Sequence, residues 1–147
     1  MAIGDWSTAA LCQDGDLINV ESQCLDWIPG DGSSDRYRTE AKRQIEARLR
    51  RVFKDIELVT DEADVLDLIE SVTPLLTAAI FLTLHLLCND CSTGGDFFEN
   101  KSALYLHKFN EEWPQAITML NVDTDESGTI EDSEKYNVVS GVEFRRK

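Results

Sequence analysis

The feature that most constrains the fold is the segment from Val72 to Cys88, which contains no charged residue and is the most apolar part of the chain. A helix with Leu, Ile and Phe around its whole circumference cannot lie half in water, because an apolar face would then be exposed. Thr73 is favourable just before a helix, and Pro74 is tolerated at the first helical position. The segment therefore predicts a helix from about Pro74 to Asn89 that other elements bury.

A membrane-spanning helix is the competing interpretation of this segment. Crossing a bilayer takes about 20 apolar residues, whereas this run is slightly shorter and is interrupted by three threonines and a histidine. Its flanks carry Asp67, Glu70, Asp90 and Asp96, where a membrane anchor would carry Lys or Arg on one side. These features favour a helix inside a folded protein, and no membrane partner is expected.

Length and composition indicate one mostly helical domain. The chain has 147 residues, of which 42% are hydrophobic and 29% charged, with three prolines. Such a chain is long enough to bury a core and too apolar to be disordered. Residues 1–30 contain no Lys or Arg and no continuous apolar run, so no secretory signal peptide is expected. We expect synthesis and residence in a cytoplasm-like compartment.

The charge is unevenly distributed. The net charge is −14, yet residues 36–54 contain eight basic residues against two acidic ones, a net of +6, which leaves −20 for the rest. The acidic total argues against a general nucleic-acid binder, which must neutralise phosphates. One basic helix on an acidic body favours contacts between copies or with an acidic partner. The candidate partner-binding residues of this segment are Arg43, Arg50 and Arg51, and a solvated helix face is the alternative interpretation.

Periodicity predicts the remaining helices. From Asp35 to Ile56 apolar residues recur every three or four positions, which indicates an amphipathic helix. Ala63–Glu70 has a helical pattern that could continue, with a kink, into the apolar helix. A further helix with aromatic anchors is predicted from Phe97 to Trp113, and Pro114 lies in its last turns or begins another turn. The first 34 residues contain only short patterned pieces and are expected to be irregular.

The strongest local motif is the acidic segment from Asp123 to Glu134. It matches the calcium loop of an EF-hand, with oxygen donors at positions 1, 3 and 5, glycine at 6 and glutamate at 12. The candidate Ca²⁺ ligands are Asp123, Asp125, Ser127, Thr129 and Glu134. A second loop and an exit helix are both missing from the pattern, so an acidic turn without an ion is an equal alternative.

The carboxyl-terminal segment from Tyr136 to Lys147 has the composition of a strand and ends in three positive charges. A strand without a partner in its own chain often completes a sheet on another molecule. The alternative is a frayed terminus. The candidate partner-binding residues of this tail are Val138, Val139, Val142, Phe144, Arg145 and Arg146.

Zinc binding and catalysis are both disfavoured. Cys88 and Cys91 have CxxC spacing, with His85 one turn earlier, but Cys88 ends an apolar helix where a free thiol behaves as a small hydrophobe. The other two cysteines, Cys12 and Cys24, lack a matching spacing. The chain contains no nucleophile elbow, phosphate-binding glycine loop or HExxH motif. We therefore expect a protein that is not an enzyme.

The order of these features resembles the head-to-tail connector, or adaptor, proteins of tailed bacteriophages. The likeness covers about residues 35–147. The elements that carry it are a helix with Ala41, Ile45 and Leu49, the apolar helix Leu75–Cys88, a helix with Tyr105, Phe109 and Leu120, an Asp-rich turn, and an extended tail ending near Phe144, Arg145 and Arg146.

This resemblance implies a mostly α fold, with a helical bundle around a buried central helix in residues 1–134 and an extended β-like tail in residues 135–147. Copies would form a ring under the portal, and the tail would reach the portal or a neighbouring subunit. DNA would pass through the channel without specific binding, and the protein would belong to the virion. A monomeric calcium-binding helical module that regulates or docks one partner is the alternative from a different class.

Overall fold

A computed structural model describes residues 3–30, 33–56, 64–91, 95–123, 125 and 127–131. Within these residues the fold is mostly helical and contains no β-strand beyond one isolated bridge pair. The fold class predicted from sequence is confirmed at this level, whereas the carboxyl-terminal tail lies outside the described residues. The α-helices are α1 (Asp14–Val20), α2 (Asp35–Asp55), α3 (Leu76–Asp90) and α4 (Asp96–Thr118), and short 3₁₀ helices cover Cys24–Trp27, Val65–Leu68 and Thr73–Leu75.

The helices predicted from periodicity are confirmed in α2 and α4. Helix α2 begins at Asp35, directly after Ser34, whose carbonyl accepts the N–H groups of Tyr37 and Arg38 at 3.0 and 2.9 Å. Its apolar face is buried through Tyr37, Ala41, Ile45, Leu49 and Phe53. Helix α4 continues through Pro114 and ends at Thr118. Proline has no N–H, so one backbone hydrogen bond of the helix is lost, but only near its end.

A helix is present where the apolar segment predicts one, and it is α3, Leu76–Asp90. Its first turn, Thr73–Leu75, is a 3₁₀ helix, and no side chain caps the α-helical part that follows. Leu82, Thr83 and Leu84 are buried in succession, which at 100° per residue covers about 200° of the circumference. Thr73–Asp90 is long and apolar enough to cross a membrane on length and composition alone, but half of this run is buried inside the protein, and a core helix meets the same criterion.

The segment before α3 is not the α-helix that its pattern suggested. Val65–Leu68 forms a 3₁₀ turn, and Ile69 then pairs with Val122 in an antiparallel bridge. The N–H of Glu70 donates to Asn121 and the N–H of Asp123 donates to Leu68, both at 2.9 Å. Backbone groups that an α-helix would use internally are therefore bonded to the segment that follows α4.

The first 34 residues are more regular than predicted, since they contain α1 and the 3₁₀ helix Cys24–Trp27. The N–H of Gln13 donates to the Asp16 carboxylate at 2.7 Å, which fixes the first turn of α1. Leu17 in α1 and Cys24 are completely buried. A short helix of this kind depends on packing rather than on its own propensity, which is why its sequence pattern is weak.

The chain divides into two compact units. The first unit comprises Met1–Ala9, Ile45–Pro74 and Pro114–Lys147, and the second comprises Ala10–Gln44 and Leu75–Trp113. The second unit is a helical assembly of α1 and α3 with the first part of α2 and most of α4. The division into residues 1–134 and 135–147 remains a prediction.

Gly4 is the tightest backbone site of the first unit. Its N–H donates to the Asp67 carbonyl at 2.8 Å, and a Cβ at this position would lie 2.6 Å from the Ile69 carbonyl oxygen. Because backbone must move to relieve that contact, we expect Gly4→Ala to lower the free energy of unfolding by about 1–3 kcal/mol in urea titration.

Gly15 supplies the matched control for this substitution. A Cβ there would meet nothing within 4 Å, and the residue lies in α1. Gly15→Ala should therefore leave stability unchanged or raise it by about 0.5–1 kcal/mol, because alanine favours helix. Equal unfolding midpoints for the two alanine variants would contradict the close approach at Gly4.

Candidate interaction surfaces and acidic loop

The basic residues of α2 are largely paired with carboxylates of the same chain. Arg43 donates two hydrogen bonds to Glu40 at 2.6 and 2.8 Å. These bonds, with one from Gln44, lower the pKa of Glu40 to about 2. Arg50 binds Asp64 through two contacts at 3.0 and 3.3 Å. Two of the three α2 residues predicted from sequence to bind a partner, Arg43 and Arg50, therefore already have carboxylate neighbours.

Arg51 and Lys54 differ from the rest of the α2 cluster. Both are exposed, and no carboxylate among the described residues lies within ion-pair distance of either one. Arg43 retains a side chain that is 66% exposed, and an exposed pair of this kind contributes only about 0.2–1 kcal/mol. Among the described residues Arg51 and Lys54 therefore have no ion-pair partner, and the exposed pair of Arg43 with Glu40 adds little to stability.

The amino-terminal end of α2 lies beside the end of α3. The Tyr37 hydroxyl and the Arg36 guanidinium both donate to the Asp90 carboxylate, at 2.5 and 2.8 Å. These residues line an open groove of about 460 Å³ with Glu40 and Leu86. Arg36 pairs with Asp90, and Glu40 pairs with Arg43, so each charged group that lines the groove already has a partner among the described residues.

The tail residues that the sequence singled out for partner binding lie outside the described part of the chain. They are Val138, Val139, Val142, Phe144, Arg145 and Arg146. Their assignment to a partner stays a prediction from composition.

The acidic loop is organised around Asp123, which is completely buried. Its carboxylate accepts the N–H of Gly128 at 2.8 Å and the N–H of Ser127 at 3.2 Å. Asp125 accepts the N–H of Ser127 at 3.0 Å, and hydrogen bonds from the Ser127 hydroxyl and backbone hold the pKa of Asp125 below its usual value. Gly128 has φ = 88°, a left-handed conformation that glycine adopts without steric cost.

The loop fits a calcium site in part. The Ser127 hydroxyl donates to the Thr129 carbonyl at 3.1 Å, so oxygens of four predicted ligands lie in one tight turn. Glu134, the predicted bidentate ligand, lies outside the described residues. Within the part of the chain that the structure describes, no three His, Cys, Asp or Glu side chains are grouped to hold a metal ion.

The residues considered for zinc are not brought together into a ligand set. All four cysteines are free thiols, and Cys88 is completely buried, which raises the pKa of its thiol to about 12. Cys91 donates to the Trp27 carbonyl at 3.3 Å. His85 contacts the Ser102 hydroxyl and carbonyl, each at 2.9 Å. The His85–Ser102 pair joins α3 to α4. Because Ser102 is only 5% exposed, its hydroxyl is not accessible as a nucleophile.

Sequence reasoning missed a polar cluster where α1 ends against α4. Glu21 accepts hydrogen bonds from Lys101 and from the Tyr105 hydroxyl, the latter at 2.5 Å. Burial acts to raise the pKa of Glu21, but these hydrogen bonds outweigh it and the pKa lies below its usual value. Burial and the bond to Glu21 raise the pKa of Tyr105. Glu21 is 80 positions from Lys101 and 84 from Tyr105, so no local sequence pattern connects it with them.

This cluster predicts a pH dependence of stability. Because the folded-state pKa of Glu21 is depressed, its stabilisation is complete above the ordinary value of 4.5 and is lost as the pH falls through the lower folded-state value. Glu21→Gln should therefore be less stable at neutral pH and should lose less stability on acidification than the unmodified chain. Urea midpoints measured at neutral pH and at about pH 3 check this. Glu99→Gln, at an exposed position of α4, is the control, and identical pH profiles for the two variants would contradict the assignment.

Sequence reasoning also missed an aromatic cluster at the start of α4. The rings of Trp27, Phe97 and Phe98 pack edge to face, with centroid separations of 5.7 Å for Trp27–Phe97, 5.4 Å for Trp27–Phe98 and 5.1 Å for Phe97–Phe98. Phe97 is nevertheless 55% exposed. The sequence predicted that the two phenylalanines anchor a helix, but it did not predict their contact with Trp27.

Comparisons of the chain with family models, with curated proteins and with solved structures find no match.

Proposed function

We propose that this chain is a structural virion protein, the head-to-tail connector, or adaptor, of a tailed bacteriophage. In this proposal copies assemble into a ring beneath the portal and link it to the tail and neck proteins. The carboxyl-terminal tail docks on the portal or on a neighbouring subunit. The protein assembles in the host cytoplasm and has no catalytic role.

The observation that carries the proposal is a pair of exposed cations near the end of α2, on a strongly acidic chain, that have no ion-pair partner among the described residues. Arg51 and Lys54 are exposed, and no carboxylate among the described residues lies within ion-pair distance of either one, whereas the whole chain has a net charge of −14. A surface that carries both signs attracts other copies of itself head to side, and a repeated heterologous contact that closes produces a ring.

The helical fold also supports the proposal. In the proposed bundle α3 is the buried central helix, and the other helices pack around it. Burial on most sides of α3, including Leu82, Thr83 and Leu84 in succession, agrees with that arrangement. The order of α2, α3 and α4, followed by an Asp-rich turn and a tail of strand-like composition, is the order that prompted the resemblance.

The acidic total suits a ring that surrounds a DNA channel. An inner surface with few Lys and Arg residues repels phosphates, so DNA passes without specific binding. In this arrangement the basic end of α2 faces the next subunit rather than the channel. An inner surface dominated by Lys and Arg would contradict this orientation.

The proposal is tested by co-expression with the portal protein encoded in the same genome. We expect an affinity-tagged chain to purify with the portal and to appear in negative-stain electron micrographs as a ring with a central channel. A chain that elutes alone, with the portal in a separate fraction, would contradict the proposal.

The acidic loop favours a second candidate function, a monomeric calcium-binding module. Asp123 is completely buried and held by two backbone N–H groups, while Asp125, Ser127 and Thr129 place further oxygens in the same turn. Oxygen donors at this spacing suit Ca²⁺. Bound Ca²⁺ would fix the angle at which the following segment leaves the loop.

Calorimetric titration decides whether the loop binds Ca²⁺. If it does, we expect one Ca²⁺ per chain and a higher unfolding temperature with Ca²⁺ than with chelator. Asp125→Ala should abolish the heat of binding because it removes an exposed ligand without unburying Asp123. Glu99→Ala is the control and should bind normally. Absence of heat with the unmodified chain would remove the calcium module and leave the connector proposal intact.

A further inference from the structure

The aromatic cluster of Trp27, Phe97 and Phe98 is partly exposed, since Phe97 is exposed and the other two rings are half-buried. Phe97 packs on both of the other rings and is still 55% exposed. Cys91 donates to the Trp27 carbonyl at 3.3 Å and helps to fix the end of α3 against this cluster. An exposed group of packed aromatic rings is the kind of surface that marks a protein interaction site.

Two further exposed apolar side chains, Val20 and Leu104, are adjacent in sequence to the polar cluster that joins the end of α1 to α4. The ammonium group of Lys101 lies 5.7 Å from the centre of the Phe97 ring and also contacts Glu21, which accepts from Tyr105. Val20 precedes Glu21 and is 42% exposed, and Leu104 precedes Tyr105 and is 43% exposed. We call the surface of Trp27, Phe97, Phe98, Val20 and Leu104 the aromatic patch.

Acidic residues without cationic partners flank the aromatic patch. Asp26 precedes Trp27, Asp96 precedes Phe97, and Glu99 follows Phe98, and all three are exposed. No Lys, Arg or His among the described residues forms an ion pair with any of them. The surface therefore combines an apolar centre with three exposed carboxylates that have no ion-pair partner among the described residues.

We propose that the aromatic patch binds the carboxyl-terminal segment, residues 136–147, of a second copy of this chain. This segment has the reverse pattern, an apolar run ending in Phe144 followed by Arg145, Arg146 and Lys147. Phe144 packs on the exposed Phe97 ring, and the three cations that follow it meet the flanking carboxylates. The inference rests on the proposed ring and names the surface on the neighbouring subunit that receives the tail.

Physical chemistry gives this contact both affinity and direction. Burial of two aromatic side chains supplies the apolar contribution, and an Arg beside Trp27 gains a cation–π contact. The cations of the tail and the carboxylates that flank the patch meet at the rim of the contact, where they stay partly hydrated. There they determine the orientation of the tail more than they add affinity. Because the tail and the patch are different surfaces, the contact is heterologous and can be repeated around a ring.

Two single substitutions in the full-length chain test the contact from both sides. Phe97→Ser disables the patch and Phe144→Ser disables the tail, and each should weaken self-association about tenfold or more in sedimentation velocity. An equimolar mixture of the two variants should restore a one-to-one complex, because one chain keeps an intact tail and the other an intact patch. Restoration in the mixture is a result that general loss of stability does not produce.

The control is Leu106→Ser, which alters a residue of α4 that is 36% exposed and lies outside the patch. It should self-associate as the unmodified chain does, and circular dichroism should show the same helix content for all three variants. Unchanged association of the Phe97→Ser variant, or a mixture that stays monomeric, would overturn the proposed docking site.

These experiments distinguish failure of the docking site from failure of the proposed connector function. A chain that forms rings whose mass is unaffected by Phe97→Ser overturns the docking site and leaves the connector function standing. A chain that is monomeric with and without portal contradicts the connector function, and a fluorescein-labelled peptide of residues 136–147 then tests the patch by itself. The peptide should bind the Phe144→Ser chain more tightly than the Phe97→Ser/Phe144→Ser chain, and equal or undetectable binding to both overturns the inference.

Discussion

Replacement of Phe109 by alanine is expected to lower the free energy of unfolding by about 3–5 kcal/mol, among the largest effects that a single substitution can have in this chain. Phe109 is completely buried in α4, and its ring centroid lies 5.8 Å from that of Trp113. The substitution removes apolar contacts and leaves a cavity, while helix propensity does not suffer because alanine favours helix. Urea denaturation followed by circular dichroism measures the effect.

Leu106→Ala is the matched control for the Phe109 substitution. Leu106 lies three residues earlier in the same helix and is 36% exposed, so its loss should change stability by less than about 1 kcal/mol. A typical domain is stable by only about 5–15 kcal/mol, so the Phe109 variant should unfold at a clearly lower urea concentration. Similar midpoints for the two variants would show that the buried face of α4 is assigned incorrectly.

Neutralisation of the end of α2 is expected to weaken self-association about tenfold. In Arg51→Gln/Lys54→Gln each side chain keeps much of its length but loses its charge, so each interface loses two cations that contribute up to about 1 kcal/mol apiece. Association of the unmodified chain should likewise fall as salt is raised, because exposed charges are screened. Sedimentation equilibrium at low and at moderate salt measures both effects.

The control for this variant matches its change in net charge. Asn110→Asp/Gln115→Glu also makes the chain more negative by two charges, at exposed positions of α4. It should associate nearly as the unmodified chain does. Equal weakening by the two double substitutions would mean that general repulsion, and not the position of Arg51 and Lys54, controls association.

The sequence predicted the helices that have long periodic patterns. The buried positions Ala41, Ile45 and Leu49 of α2 follow a spacing of four, and α3 follows from a run without charge. Such patterns can be recognised because the residues at this spacing all lie on the same face of one helix. The weaker pattern of Ala63–Glu70 was misleading, since its hydrogen bonds go to the segment around Val122, a partner distant in sequence.

The candidate sites were predictable only where their residues are adjacent in sequence. The turn at Gly128 follows from the spacing of the acidic motif. By contrast, the meeting of Trp27 with Phe97 depends on how α4 packs, and no local pattern contains it. The ion pair of Arg50 with Asp64 likewise could not be predicted by counting the basic residues of α2, because the two residues belong to different elements.

The measurement that tests the central claim most directly is the mass of the full-length chain in solution, alone and mixed with the portal protein, determined by light scattering over a range of concentrations. The chain has a mass of 16.6 kDa. A connector should reach a plateau at an integral multiple of that mass, by itself or on the portal, and the plateau should not grow further because a closed ring has no free end. A mass of 16.6 kDa under every condition, with the portal unbound, would contradict the account.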